Sequence, residues 1–192
     1  MKVLVIGGGG REHAILEKLR ENPRIDAFYA LPGNGGMSGH AECVPIAATD
    51  INGIVSFAVK KDVDFAVVAP DDPLIQGAGD RLRAAGVRCF GPSAAAAAIE
   101  GSKSFAKGLM KKYGIPTASC EVFDRAEDAH AYLSTIPYPA VVKADGPALG
   151  KGVFVVQTEK EAQSAVSALM EQKLLGQSGS RVVIEEFLEG NE

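Results

Sequence analysis

The sequence is poor in several features, and each shortage removes a class of protein. Its three cysteines, Cys43, Cys89 and Cys120, are scattered, form no CxxC pair and have no histidine beside them. That pattern excludes a disulfide framework and a structural zinc site. Each thiol is expected to be a small buried hydrophobe in a reducing compartment. Long apolar runs are also missing. Val3-Leu4-Val5-Ile6 near the start is far shorter than the apolar core of a signal peptide, and no later segment approaches a membrane span. The expected location is cytoplasmic, with no membrane partner. Neither sign of charge dominates: 20 basic residues face 24 acidic ones, a net charge of −4. Nothing in this balance suggests a nucleic-acid surface, although a cleft can still be locally basic. Internal repeats and disordered tails are absent as well.

What is present is a chain of 192 residues, 46% hydrophobic, enough for one large or two small domains with a proper core. Its first half alternates strand and helix. Val3 to Ile6 reads as a buried strand, followed by Gly7-Gly8-Gly9-Gly10 and a helix from about Glu12 to Arg20 with Ile15, Leu16 and Leu19 as its apolar stripe. Ile25 to Ala30 is a second strand, ended by the loop Pro32-Gly33-Asn34-Gly35-Gly36. Asp50 is expected to cap a helix that faces Ile51, Ile54, Val55, Ala58 and Val59 inward. Phe65 to Ala69 is a third strand with Pro70-Asp71-Asp72-Pro73 as its loop, and a helix then leads to a short strand, Val87 to Phe90. Such alternation predicts a doubly wound parallel sheet of Rossmann-like type, with ligand loops at the strands' carboxyl ends.

After Gly91-Pro92-Ser93 the texture changes. An alanine run, Ala94 to Ala98, precedes Ile99-Glu100-Gly101-Ser102-Lys103, and a helix continues to about Tyr113, closed by Gly114-Ile115-Pro116. A second αβ unit follows. It comprises a strand near Cys120 to Phe123, a helix opened by Asp124 with Glu127 as a capping box, and a strand from Ala140 to Ala144. Next come a glycine loop from Asp145 to Gly152, a strand from Val153 to Gln157, a helix capped by Thr158 with Glu161, and a strand from Val182 to Phe187. The domain boundary is placed near residues 91 to 101.

Strand, glycine cluster and helix together aim backbone N–H groups at an anion. A dinucleotide fingerprint nevertheless fails. Counting from Gly7 puts Glu12 at the third glycine position, counting from Gly8 puts His13 there, and the second strand ends without a carboxylate. Two readings stand for Gly7 to Gly10: a seat for a single phosphate with Arg11 as an extra donor, or a tight turn and nothing more. His13 taken alone is an ordinary helix residue. Gly146 to Gly152 is not a P-loop either, because its glycine spacing differs and no Ser or Thr follows Lys151.

Three features of the second half fit together. Lys143 ends an apolar strand, the segment from Asp145 to Gly152 is rich in backbone donors suited to phosphates, and Val182 to Leu188 couples an apolar strand to Glu185 and Glu186. A carboxylate and edge backbone groups can read an adenine amino group. Each feature has an innocent reading as a surface lysine, a hairpin turn or a solvated acidic end, but their order and spacing argue against three coincidences.

These segments resemble the ATP-grasp ligases. The further combination of Gly7 to Ala14, Pro32-Gly33-Asn34, Gly91-Pro92-Ser93, Glu100 to Lys103, Lys143 to Gly146 and Gly150 to Val153 is similar to the glycinamide ribonucleotide synthetase family, along essentially the whole chain. The resemblance implies a pre-ATP-grasp domain over residues 1–100, a linker helix over 101–119 and the small αβ ATP-grasp subdomain over 120–192. It implies ATP-dependent joining of glycine to 5-phosphoribosylamine through a glycyl phosphate. Lys103 and Lys143 would contact the ATP phosphates, beneath a loop that includes Asp145, Gly146, Gly150, Lys151 and Gly152. Glu185 would accept from the adenine amino group, Glu186 and Leu188 would frame the base, and Glu192 would bind the ribose. Gly9, Gly10, Arg11, Gly33, Asn34 and Asp71 would border the phosphoribosylamine site. Two departures stand out: the family usually shows Pro-Glu where this chain has Pro70-Asp71, and Pro147 stiffens the glycine loop. The family needs Mg²⁺ or Mn²⁺, with ligands downstream of Glu192. The chain is therefore expected to be truncated before the larger ATP-grasp subdomain and inactive as a ligase alone. The alternatives are a non-catalytic nucleotide- or sugar-phosphate-binding module, and another purine-pathway ATP-grasp ligase.

Overall fold

In the computed structural model, residues 1–148 and 151–190 are described. Leu149, Gly150, Asn191 and Glu192 lie outside the described residues, so the expectations for Gly150 and Glu192 have no structural counterpart. The chain forms two compact units, Met1–Ala98 and Ile99–Glu192.

In the first unit, β1 (Lys2–Gly7), α1 (Gly10–Leu19), β2 (Ala27–Pro32), β3 (Glu42–Cys43), α2 (Ile51–Lys61), β4 (Phe65–Val68), α3 (Asp71–Ile75), α4 (Ala78–Ala84) and β5 (Arg88–Phe90) follow in order. The five strands make one parallel sheet, ordered β3-β2-β1-β4-β5. Val3 to Ile6 are at most 1% exposed because the central strand is covered on both faces. Leu4 and Ile6 join Ile54, Ala58, Ala78 and Leu82 on one side, whereas Val5 packs with Leu16 and Met37 on the other. Each such fully buried aliphatic side chain contributes about 1.5–3 kcal/mol. Asp50 caps α2 as expected, its carboxylate accepting from Gly53 N–H at 2.9 Å.

Several expectations need correction. Val59 is exposed, since α2 buries a narrower stripe centred on Ile54 and Ala58. Pro70 to Pro73 is not a plain loop: Asp71 begins α3, and Pro73 sits in its first turn, where a missing N–H costs nothing. The cysteines are unpaired but only partly buried.

α5 (Ala94–Gly101) leads into the second unit, which contains α6 (Lys103–Tyr113), β6 (Cys120–Phe123), α7 (Ala126–Leu133), β7 (Ala140–Ala144), β8 (Val153–Val156), α8 (Glu159–Val166) and β9 (Val182–Glu186). Ser102 caps α6 through Phe105 N–H, and Gly114 ends it with a left-handed backbone at φ 64°. The Asp124–Glu127 capping box does not form. Arg125 occupies the cap position without a side-chain bond, and Asp124 instead takes a 2.6 Å hydrogen bond from Arg181. Thr158 does cap α8, and Glu161 reaches back to Gln157 N–H.

The four strands are antiparallel, ordered β6-β9-β7-β8. Successive residues alternate between faces. Ala140, Val142, Ala144, Val156, Val182 and Ile184 pack with α7 and α8 residues such as Ala129, Leu133, Ala162 and Val166. The intervening residues, Val141, Lys143, Val153, Val155, Val183 and Glu185, fall on the opposite face, where Val153 and Val155 are exposed. Among the described residues, no helix is long and apolar enough to cross a membrane.

Candidate functional site

In the first unit, the predicted substrate residues gather beyond the carboxyl ends of β1, β2 and β4. Gly7 stands opposite Pro32, and Ile6 opposite Val68. The chain leaves β1 toward β2 on one side and returns to β4 on the other, which opens a crevice at that end of the sheet. Gly33 N–H donates to Gly7 O at 3.2 Å, and Asn34 Nδ2 donates to Gly8 O at 3.0 Å. Asn34 Oδ1 accepts from Gly36 and Met37 N–H. The two loops therefore lie in contact, and a Cβ on Gly8 would collide with the carbonyl oxygen of Gly33. Exposed Arg11 reaches Ala69 O at 3.5 Å, next to Pro70 and exposed Asp71.

Glu12 does something the glycine spacing alone does not disclose. It is 5% exposed and turns back to accept from Gly9 N–H at 2.7 Å, the carboxylate half of a capping box. One donor of the α1 N-terminus is thereby satisfied internally. Gly9-x-x-Glu12 is the spacing that signals it.

In the second unit, the β7–β9 register sets Val141 opposite Glu185 and Lys143 opposite Val183, so Lys143 and Glu185 are diagonal neighbours on the face turned away from α7 and α8. Their ion pair measures 2.8 Å. Lys143 thus leans across the sheet rather than simply pointing past the strand end. A second ammonium, that of Lys107 on α6, lies 3.2 Å from the same Glu185 oxygen. Lys107 went unnoticed in the sequence; its one signal is that it falls a helical turn after Lys103. Cys120 is close by, and burial pushes its thiol above the ordinary value, against the pull of Lys107.

The root of the glycine loop is tied to the start of α6. Asp145 accepts from Ser104 N–H at 2.6 Å and from Ser102 Oγ at 3.1 Å, and its carbonyl accepts from Lys103 N–H. Its carboxylate, 13% exposed, is thus taken up by local donors. Lys103 Nζ donates to Gly146 O at 3.2 Å. Gly146 lies against Ser178, where a Cβ would meet Cα at 2.9 Å. Gly152 O accepts from Ala144 N–H, closing the loop at its base, while Lys151 is exposed. Beyond β9, Glu186 accepts from Ser119 N–H at 2.7 Å, and Leu188 is exposed.

A parallel αβ unit followed by an antiparallel sheet with a strand lysine, a glycine loop and a terminal pair of glutamates defines an ATP-grasp protein. Comparison with known proteins makes the assignment specific. Residues 1–100 match the family description "Phosphoribosylglycinamide synthetase, N domain", and residues 101–192 match "Phosphoribosylglycinamide synthetase, ATP-grasp (A) domain". The chain belongs to the phosphoribosylglycinamide synthetase family. It is 46% identical over 192 residues to a phosphoribosylamine–glycine ligase of Caldanaerobacter subterraneus, and 48% identical to one of Agrobacterium fabrum. All of this chain is covered, but only 46% and 45% of those proteins, so it spans under half the length of these relatives. The crystal structure of the Thermotoga maritima phosphoribosylamine–glycine ligase superposes with a TM-score of 0.80 at 31% identity, covering 100% of this chain and 45% of that one. A biotin carboxylase from Campylobacter jejuni shares the fold at TM-score 0.80 and 19% identity, with 98% of this chain and 45% of that one covered.

Proposed function

We propose that this chain supplies the amine-substrate unit and the smaller wall of the ATP cleft of a phosphoribosylamine–glycine ligase. In that reaction a glycine carboxylate oxygen attacks the γ-phosphorus of ATP, and ADP leaves. The amine of 5-phosphoribosylamine then attacks the carbonyl carbon of glycyl phosphate, inorganic phosphate leaves, and the amide of glycinamide ribonucleotide forms as the nitrogen loses a proton.

The observation that carries this reading is the β7-β8-β9 face turned away from α7 and α8, which is exposed along β8. It sets a buried carboxylate and an ammonium with spare donors beside exposed Val153 and Val155, a surface for an apolar base and a phosphate chain together. Lys143 serves the phosphates, with Lys103 held at the loop root. Glu185 presents its second oxygen to the adenine amino group, and Glu186 and Leu188 border the base. Gly146, Lys151 and Gly152 of the glycine loop border the phosphates. Asp145 acts from behind, through α6 and Lys103. In the first unit, Gly9, Gly10, Arg11, Gly33, Asn34 and Asp71 border phosphoribosylamine. Glu12 already occupies one donor of α1, so Arg11 is the principal cation for the ribose phosphate. Magnesium accompanies the nucleotide and neutralises phosphate charge; no described residue is assigned to it.

Calorimetric titration of the chain with ATP and Mg²⁺, beside Lys143→Ala, tests the phosphate assignment. Binding by the wild type that weakens by about tenfold or more in the variant is the expected result. Equal affinity of the two proteins would remove Lys143 from the site.

A further inference from the structure

The two ammonium groups on Glu185 are not equivalent. Lys107 Nζ donates hydrogen bonds to Thr117 Oγ1 at 2.8 Å and to the Ala118 carbonyl at 3.0 Å, and forms an ion pair with Glu185 Oε2 at 3.2 Å. Two of the three N–H donors of Lys107 are thus spent on the segment after its helix, while its charge faces Glu185. Lys143 has a single acceptor among the described residues, Glu185 Oε2, and its side chain is the more exposed, 26% against 12%. Lys107 is fixed by the segment that follows its own helix. Among the described residues, Lys143 is held by one bond.

This asymmetry matters because Glu185 is 5% exposed at its side chain. A buried carboxylate stripped of its only cation is strongly disfavoured. If Lys143 were the sole partner, any ligand drawing it away would strand that charge and bind correspondingly less well. With Lys107 at 3.2 Å, Glu185 stays compensated while Lys143 turns outward. We propose that Lys107 is a positioning residue, a fixed counter-ion of Glu185 that releases Lys143 to bind the nucleotide phosphates without itself touching them. The proposal rests on reading Lys143 as a phosphate ligand, whereas the inequality of the two lysines stands without it.

Trace acetylation of the wild-type chain with acetic anhydride, read lysine by lysine by mass spectrometry, tests the inequality directly. Lys143 is expected to react roughly tenfold faster than Lys107, in keeping with its greater exposure and one hydrogen bond against two. ATP with Mg²⁺ is expected to slow Lys143 and leave Lys107 unchanged. Equal rates, or slowing of Lys107 in place of Lys143, overturn the proposal. No effect of ATP on any lysine overturns the nucleotide reading instead, and leaves the rate ratio to judge the counter-ion. For the coupling, Lys107→Met is expected to weaken ATP binding by about tenfold, and Glu185→Gln added to it to restore affinity to within about threefold, because the amide keeps an acceptor but no longer grips Lys143. A Lys107 that merely supports the fold gives no such rescue. Should Lys107→Met fail to fold, the wild-type acetylation still decides.

Discussion

Replacing Asp145 with alanine separates two accounts of one residue. The structure has its largely buried carboxylate accepting from Ser104 N–H at 2.6 Å and Ser102 Oγ at 3.1 Å, with the Arg181 guanidinium 3.9 Å away. Hydrogen bonds to a charged group are worth about 1.5–3 kcal/mol each when one partner is removed. Two such bonds that share an acceptor and relax together lead to an expected loss of about 2–4 kcal/mol. In a unit of roughly 100 residues that lowers the melting midpoint by about 8–30 °C. Scanning calorimetry measures the midpoint, and amide exchange at Lys103, Ser104 and Phe105 locates the damage to the first turn of α6. Asp145→Asn keeps one acceptor and should lose about half as much. If Asp145→Ala melts within about 0.5 kcal/mol of the wild type while ATP binding disappears, the carboxylate serves the ligand and the reasoning fails.

Gly8→Ala would drive a methyl group into the carbonyl oxygen of Gly33, forcing the two loops apart at a cost of about 1–3 kcal/mol. A urea midpoint indistinguishable from the wild type would show that the loops do not touch as described. Asp80 gives a prediction with a sign in pH. The Ala94 N–H, and after it Arg83, hold its carboxyl below the ordinary value of 3.8. A depressed carboxylate contributes stability that is fully present above the unfolded value and lost as pH falls through the folded one. The stability gap between wild type and Asp80→Asn should therefore be constant near neutrality and shrink once the pH drops below about 3.8. A gap that widens in acid would reverse the assignment.

Much of the architecture was legible because the strands are short apolar runs bounded by Gly and Pro. Ala140 to Ala144 begins and ends where its pattern says. Strand partners were not legible. Period two says that Lys143 and Val141 share a face, but only the β7–β9 register brings Glu185, far along the chain, opposite Val141 and diagonally beside Lys143. The same limit hid Lys107, whose partner sits on another element, and the two-residue β3, too short to carry a period. Asp124 misled because a capping residue and an ion-pair partner look identical in sequence. Arg181 decided between them. Asp145 was noticed for its place in the glycine loop, whereas its donors come from the start of α6.

The two sheets also differ in when they can be completed as the chain emerges from the ribosome. The parallel sheet grows outward from β1, its first-made strand, with β2 and β4 adding to either edge. The antiparallel sheet is organised the other way round: β9, made last of the four strands, is the one that lies between β6 and β7. Until residues 182–186 have been synthesised, β6 has no strand neighbour, and β7 and β8 form a lone hairpin whose β7 edge still awaits its partner. Pairings between distant segments are slow to form, and open edges invite association with other chains. Of the two units, the second is accordingly the more exposed to misassembly during synthesis.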